Sequence, residues 1–213
     1  MIFEQIRAGG DRNFGYLIGD EKSKEAAVID PSSDPASLHK AAEKHGLKII
    51  YIIGTHGHGD HTSGIPSLKS KTGAKVVMSD KSQYDADLKV KDGDVLKLGD
   101  TELKIIQTPG HTQDSMCILA EDKLMTGDTL FVGKVGGTYT EEDAEVEFNS
   151  LFNKLMKLDD HIEVYPGHDY GTAPTSTIGN ERKTNPFLLR TEFEKFKWLK
   201  DNWADYKLKH GIK

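Results

Sequence analysis

A short glycine-rich stretch of the sequence carries four side chains of the kinds that bind metal ions. It reads Thr55-His56-Gly57-His58-Gly59-Asp60-His61, so three imidazoles and one carboxylate fall within six residues. Imidazole nitrogen and carboxylate oxygen suit Zn, Fe and Mn, and glycine lets the chain turn tightly around an ion. A histidine-rich surface loop is the alternative, but it leaves unexplained why similar residues recur later in the chain. The stretch therefore predicts a metal site.

Three later residues offer ligands of the same kind, and each directly follows a glycine. They are His111, Asp128 and His168. Taken singly they are weak signals, because a Gly-Asp pair is usually a turn and a lone Gly-His is usually an ordinary histidine. Together and in this order they predict one site built from four loops.

Seven ligands are enough for two ions. Two divalent ions about 3.5–4 Å apart, bridged by a carboxylate, hold a hydroxide at neutral pH that attacks a carbonyl group. A thiolate leaving group then needs little help from a general acid. A site with two divalent ions as cofactors would thus suit hydrolysis of a thioester or related carboxylic ester. We expect zinc, with iron or manganese as alternatives.

Runs typical of β-strands precede each group of ligands. Leu47–Ile53 is a nearly continuous apolar run that ends directly before the first stretch, and the later ligands follow Glu102–Gln107, Lys123–Met125 and Glu163–Tyr165. Sites in layered α/β proteins lie where strands end and loops begin, so this placement fits a functional site. Further strands are predicted at Ile2–Ile6, Phe14–Ile18, Ala26–Ile29, Ala74–Met78 and Met116–Leu119.

Helices alternate with these strands. Asp34 caps a helix that stops at Gly46, another covers Ser63–Lys71, and a third starts at Thr140 with Asp143 three residues on as a capping box. Strands followed by a helix, twice over, favour two sheets packed face to face with helices outside. We predict a single domain over residues 1–213, in which residues 186–213 form an amphipathic helical appendage at the C-terminus.

Composition narrows the class of protein. The net charge of −6 argues against a nucleic-acid partner, which normally meets a basic surface. No apolar run approaches the ~18 residues of a membrane span and no signal segment is recognised, so we expect a cytoplasmic protein without a membrane partner. The single cysteine, Cys117, allows no intrachain disulfide. The apolar tail allows a homodimer.

The ordered set of ligands resembles that of the metallo-β-lactamase superfamily, over roughly Ile2 to Asn185. Within it, Thr108–Thr112, Gly127–Phe131 and Pro166–Tyr170 are similar to the glyoxalase II-like branch and the related persulfide dioxygenases. The resemblance implies an αββα sandwich of two mixed sheets with the metal site at one edge. True β-lactamases of the common zinc type use a cysteine ligand, which is absent here.

The resemblance also implies a role for each ligand. His56, His58 and His111 would hold a first ion, Asp60, His61 and His168 a second, and Asp128 would bridge both. We assign the catalytic roles to Asp60 and Asp128. Thr55, Thr108, Thr112 and Asp169 are candidates to orient ligands, while Cys117 is expected to pack in a strand as a small hydrophobe.

The leading functional prediction is an enzyme similar to hydroxyacylglutathione hydrolase, with a small-molecule thioester or thiol-derived substrate. Tyr170 resembles a substrate-contacting tyrosine of that branch, and we expect Lys134 to contact an anionic substrate. The sequence near Gly137 lacks the basic–aromatic pair of glyoxalase II, and the tail is short for its glutathione-binding domain. The alternative is a persulfide dioxygenase, in which His56, His111 and Asp128 hold one Fe(II). The arginine that persulfide dioxygenases usually have near Gly137 is also missing.

Overall fold

A computed structural model describes residues 1–212. The strands in chain order are β1 (Ile2–Arg7), β2 (Phe14–Gly19), β3 (Glu25–Ile29), β4 (Lys48–Ile53), β5 (Lys75–Ser79), β6 (Leu88–Val90), β7 (Val95–Leu98), β8 (Thr101–Gln107), β9 (Met116–Ala120), β10 (Lys123–Gly127), β11 (Leu130–Phe131), β12 (Lys134–Val135), β13 (Glu163–Pro166) and β14 (Ser176–Thr177). The helices are α1 (Pro35–Lys44), α2 (Gly59–Thr62), α3 (Ile65–Thr72), α4 (Glu141–Asn153), α5 (Ile178–Thr184), α6 (Phe193–Asp201) and α7 (Trp203–His210), with a 3-10 turn at Leu155–Lys157.

The long strands form two mixed sheets of six strands each. The first has the order β1-β2-β3-β4-β5-β6, and the second has the order β14-β13-β10-β9-β8-β7. Strands β3 to β6 run parallel, as do β10 and β13, while the other neighbours in these sheets are antiparallel. Strands β11 and β12 form a separate small hairpin.

Buried apolar side chains of the strands form three layers: one between the two sheets and one under the helices on each outer face. Successive side chains of a strand point to opposite faces, so Ile53 lies between the sheets and Ile52 packs towards helices α1 and α3. In the second sheet, Ile105 lies between the sheets while Ile106 joins the layer beneath helices α4, α5 and α6. Helix, sheet, sheet and helix thus follow one another, and the predicted αββα sandwich is confirmed.

The helix starts predicted at Asp34 and Thr140 are also confirmed, whereas the helix predicted from Ser63 begins at Ile65. Asp34 Oδ1 accepts a hydrogen bond from the Ser37 backbone N–H at 3.2 Å, with Pro35 as the first residue of α1. At α4, Thr140 and Asp143 form the reciprocal capping box. Both arrangements satisfy backbone donors that the first turn of a helix leaves free.

The sequence prediction was incomplete: it did not include strands β6, β7, β11, β12 and β14 or the short helices α2 and α5. Strands β6 and β7 were missed because their lysines interrupt the apolar pattern; charged side chains are common on strands near a sheet edge. The C-terminal helix begins at Phe193 rather than near Pro186. The side-chain oxygen of Asn185 accepts from the Phe187 backbone N–H at 3.0 Å, and such a turn competes with helix formation.

The C-terminal helices pack on the second sheet. Phe196 and Leu199 of α6 are fully buried in the same apolar layer as Leu151 of α4 and Val164 of β13. Residue 213 of the predicted appendage lies outside the described residues. Within residues 1–212, no helix has the length and apolar character needed to cross a membrane.

Candidate metal centre

The seven predicted ligands lie at one edge of the sandwich. The first four follow β4, while the other three follow β8, β10 and β13. Strand β9 lies antiparallel between β8 and β10, and β13 is parallel to β10, so all three strands end at the same edge. The backbone carbonyl of Thr55 accepts from the Met116 N–H at 2.9 Å and ties the first sheet to the second there. Sheet order thus brings together loops that are far apart in sequence.

One group of ligands consists of three histidines. Nε2 of His56 lies 3.0 Å from Nδ1 of His58, which in turn lies 3.2 Å from Nε2 of His111. Ligand atoms of these three residues all lie within 4.8 Å of one another. His56 is buried, and the other two are partly exposed.

A second group combines a carboxylate with two histidines. Oδ2 of Asp60 lies 3.4 Å from Nε2 of His61 and 3.3 Å from Nε2 of His168, and these two nitrogens are 3.2 Å apart. Both histidines are buried, whereas Asp60 is exposed. The side of this group on which Asp60 lies is therefore accessible from solvent.

Asp128 lies between the two groups. Its Oδ1 is 3.3 Å from His61 Nε2, and its Oδ2 is 3.4 Å from His168 Nε2 and 3.7 Å from His111 Nε2. The loop before His168 approaches it closely, since a Cβ atom at Gly167 would lie 2.3 Å from Asp128 Oδ1. Glycine is therefore required there to bring His168 up to the carboxylate.

The donor set fits metal ions. Ligands that bond zinc tetrahedrally at 2.0–2.1 Å are about 3.3 Å apart, and the contacts between donors described above fall around that value. In addition, Asp128 Oδ1 is buried without a hydrogen-bond partner in the described part of the chain. A bound cation would provide the interaction that this oxygen lacks.

Backbone carbonyls fix the orientation of two of the imidazoles. Nδ1 of His111 donates to the carbonyl of Gly137 at 2.7 Å, and Nδ1 of His168 donates to the carbonyl of Asp11 at 2.8 Å. The proton on Nδ1 leaves Nε2 free to bind an ion, and in both rings Nε2 faces Asp128.

Asp30, which sequence reasoning missed, orients two further ligands. Its Oδ2 accepts from His61 Nδ1 at 2.8 Å and from the Thr55 hydroxyl at 2.7 Å. Because that hydroxyl donates to Asp30, it is free to accept from His56 Nδ1, 3.1 Å away. A single buried carboxylate behind the site therefore selects the tautomer of both rings.

The loop between β1 and β2, also missed, contacts the second group. Asn13 Nδ2 donates to Asp60 Oδ2 at 3.0 Å, and Asp11 supplies the carbonyl beside His168. Arg12 between them has a φ of +60°, a left-handed conformation uncommon for residues other than glycine. The spacing of residues in the sequence does not predict these contacts, because β1 and β13 belong to different sheets.

Burial and neighbouring charges shift the pKa values of the ligands in opposite directions. Burial, followed by the positive charge of His61, lowers the pKa of His56 well below its usual range. Burial would also lower the pKa of His168, but hydrogen bonds to Asp128 and Asp60 outweigh it and raise the pKa to about 9. The bond from His168 lowers the pKa of Asp60. The carboxylates are therefore ionised, and an ion that binds His168 displaces a proton.

The two predicted substrate contacts lie beside His168. The ring of Tyr170 stacks on it with centroids 4.5 Å apart, and its hydroxyl donates to Asp11 Oδ2 at 2.7 Å. The Lys134 ammonium is 5.0 Å from the Tyr170 ring centre and 5.6 Å from that of Phe131. Burial lowers the pKa of Lys134. In the described part of the chain, no carboxylate forms an ion pair with it.

Of the four candidates to orient ligands, only Thr55 hydrogen-bonds a ligand side chain. Thr108 contacts Cys117 and Thr129, Thr112 contacts Asp114 and Ser115, and Asp169 pairs with Arg7. Cys117 is fully buried in β9, and burial raises the pKa of its thiol to about 11.

Residues 8–168 match the family model described as the metallo-beta-lactamase superfamily. The chain therefore belongs to this superfamily, as its sequence predicted. The two groups of histidines and carboxylates described above are the residues with which it could bind metal ions.

Relatives with two different activities are similar to this chain. A hydroxyacylglutathione hydrolase of Polaromonas sp. is 38% identical over 178 residues, which cover 80% of this chain and 67% of that protein. The mitochondrial persulfide dioxygenase ETHE1 of Mus musculus is 35% identical over 209 residues, which cover 95% of this chain and 81% of that protein.

Among solved structures, ETHE1 from Myxococcus xanthus superposes with a TM-score of 0.89 at 33% identity, covering 95% of this chain and 91% of that one. These likenesses support an enzyme of the superfamily and do not separate a hydrolase from a dioxygenase.

Proposed function

We propose that this chain is a metal-dependent hydrolase that cleaves a thioester or a related carboxylic ester. The position of Asp128 between two complete groups of ligands carries the proposal. With Asp128 shared, one side offers three histidines and the other offers Asp60, His61 and His168. Two divalent ions held there would supply a nucleophile at neutral pH and stabilise the charge that develops on the carbonyl oxygen.

The chain's own residues prepare this chemistry. Asp30 and the carbonyls of Gly137 and Asp11 hold the imidazoles in the tautomers that ligation requires. Asp60 and Asp128 supply the negative charge that the site needs to hold two cations. Asp60 of the second group and His58 and His111 of the first are open to solvent, so a substrate can reach both groups.

The positions of Lys134 and Tyr170 favour a substrate whose thiol part carries a negative charge. Lys134 is half-buried beside the site, and no carboxylate among residues 1–212 pairs with it. A buried cation without a partner favours an anion, and an anionic group on the substrate would provide one. The Tyr170 ring offers an apolar face next to His168.

The experiment is a thioesterase assay of metal-reconstituted protein, with S-lactoylglutathione and acyl thioesters of other thiols as substrates. We expect turnover that His58→Ala abolishes and that His161→Ala, an exposed histidine outside the site, leaves unchanged. If wild-type protein released no more thiol from any of these substrates than His58→Ala does, the proposed hydrolase would be wrong.

A persulfide dioxygenase is the second candidate. It is supported by the likeness to ETHE1 from Myxococcus xanthus across 95% of this chain. In that case His56, His111 and Asp128 would hold one Fe(II), with positions open for oxygen and a persulfide. Oxygen uptake with glutathione persulfide by iron-loaded protein tests this candidate. His168→Ala separates the two, because it removes a ligand that only the two-ion hydrolase uses.

A further inference from the structure

A buried ion pair joins helix α6 to helix α4, directly behind the loop that carries His111. Lys200 Nζ donates to Glu147 Oε2; the Glu147 side chain is fully buried and that of Lys200 is 10% exposed. Burial raises the pKa of Glu147 to about 7, against the opposing charge of Lys200. Apolar side chains of similar volume often stabilise a fold as well as a buried ion pair does. Stability alone therefore does not account for these two charges.

The other contact of Lys200 leads to the metal centre. Its Nζ also donates to the backbone carbonyl of Gly136 at 2.7 Å. The carbonyl of the next residue, Gly137, accepts from His111 Nδ1 at 2.7 Å. Two consecutive carbonyls thus accept hydrogen bonds, one from the Lys200 ammonium group of α6 and one from the imidazole of the predicted ligand His111.

The segment between them has no side chains of its own to hold it. Gly136 and Gly137 are adjacent, and a Cβ at Gly136 would lie 2.1 Å from the backbone oxygen of Asp128 and 3.1 Å from the Cβ of His111. A side chain here would collide with the Asp128 backbone and crowd the side chains of Glu147 and His111. Its backbone groups hold it instead: the Gly136 N–H donates to the Thr129 carbonyl at 3.3 Å, and the Gly136 carbonyl accepts from Lys200 at 2.7 Å.

Helix α4 approaches the His111 loop equally closely. At Gly110, whose φ is +142°, a Cβ would lie 2.4 Å from the Cα of Glu147. Glu147 therefore touches the loop before His111 with its backbone and holds Lys200 with its carboxylate. The ion pair ties helix α6, the glycine segment and the His111 loop into one unit.

We propose that Lys200 is a positioning residue for the predicted metal ligand His111, acting through the Gly136–Gly137 segment. The Lys200 bond fixes the peptide whose neighbouring carbonyl holds Nδ1 of His111, so that Nε2 stays directed at the ion. Glu147 keeps the ammonium group in place. The inference rests on the metal binding in the proposed function, but not on which reaction follows.

The test compares metal affinity with folding stability. In the variant Glu147→Met/Lys200→Met, apolar side chains replace the ion pair and the donor to Gly136 is lost. Lys195→Met is the matched control, because Lys195 is an exposed lysine of the same helix that forms an ion pair with Glu192. Cobalt affinity is measured by chelator competition, with the absorption spectrum of the cobalt-loaded protein, and unfolding is followed in metal-free protein.

For the double variant we expect metal-free unfolding close to that of wild type and cobalt binding at the histidine site about 10-fold weaker, the lower end of the range for residues that orient a ligand. Its cobalt spectrum should also change, which a purely structural role would not produce. Wild-type affinity and spectrum in the folded double variant would overturn the proposal.

A second variant keeps the test decisive if the first does not fold. Glu147→Gln retains an oxygen for Lys200 and leaves the bond to Gly136 in place, so its cobalt affinity should stay within about 2-fold of wild type. A 10-fold loss there would assign the effect to the charge of Glu147 instead and overturn the role of Lys200. A wild-type protein that binds cobalt but cleaves no thioester would refute the proposed hydrolase alone, whereas failure to bind cobalt would refute both.

Discussion

Replacing Asp30 with asparagine tests how the metal centre is held. Asp30 is 1% exposed at the end of β3. Its Oδ2 accepts from His61 Nδ1 and from the Thr55 hydroxyl, while its Oδ1 accepts from the Thr55 backbone N–H. An asparagine has one oxygen for these three donors. If that oxygen accepts from the backbone, the amide NH₂ faces His61 Nδ1, and a proton can no longer be held there.

The size of the effect follows from this loss. Without an acceptor at Nδ1, His61 favours the tautomer with its proton on Nε2, which cannot bind an ion, and Thr55 no longer holds His56 in place. Loss of such an orienting partner costs about 10–100-fold in metal affinity, or about 1.4–2.8 kcal/mol. We expect Asp30→Asn to weaken metal binding by this amount while the protein remains folded.

Zinc affinity measured by chelator competition provides the assay, with the cobalt spectrum as a second readout. Asp20→Asn is the matched control: Asp20 is also buried and accepts from the Ser23 and Lys22 backbone N–H groups, but it lies at the opposite end of β2 from the site. It should leave metal affinity unchanged. If Asp30→Asn bound both ions as tightly as wild type does, the assigned role of this carboxylate would be wrong.

Three further predictions concern the core and the substrate contact. Because burial raises the pKa of Cys117 to about 11, only about one thiol in a thousand is ionised at pH 8. A disulfide reagent should label it only after unfolding, and rapid labelling of folded protein would contradict its burial. Phe196→Ala should lower the free energy of unfolding in urea by about 3–5 kcal/mol. Trp198 of the same helix is 55% exposed, so Trp198→Ala serves as the control. An equal loss of unfolding free energy in the two variants would contradict the packing of α6. Lys134→Met should raise KM for an anionic thioester about 10-fold or more, with little change in kcat; an unchanged KM would remove this substrate contact.

The sequence predicted the elements that local chemistry determines. Caps at Asp34 and Thr140 and the apolar runs before each ligand loop depend on nearby residues, and the structure confirms them. The αββα arrangement also followed from the order of strands and helices. The seven predicted ligands lie together, although their binding of ions stays a prediction.

The residues that orient the ligands could not be predicted in the same way. Asp30 follows a strand, like the ligands, but its contact with His61 depends on β3 and β4 being neighbours in the sheet. Asn13 and Lys200 reach the site from a hairpin loop and a C-terminal helix that are distant in sequence. Such contacts result from tertiary packing, and the spacing of residues along one chain does not encode them.

The most direct test of the two-ion hydrolase is the identity and number of metal ions per chain, measured by elemental analysis of protein purified without added metal. We predict about two zinc or mixed divalent ions per chain, because Asp128 lies between two complete groups of ligands. About one iron per chain, with little other metal, would contradict this account and support the dioxygenase.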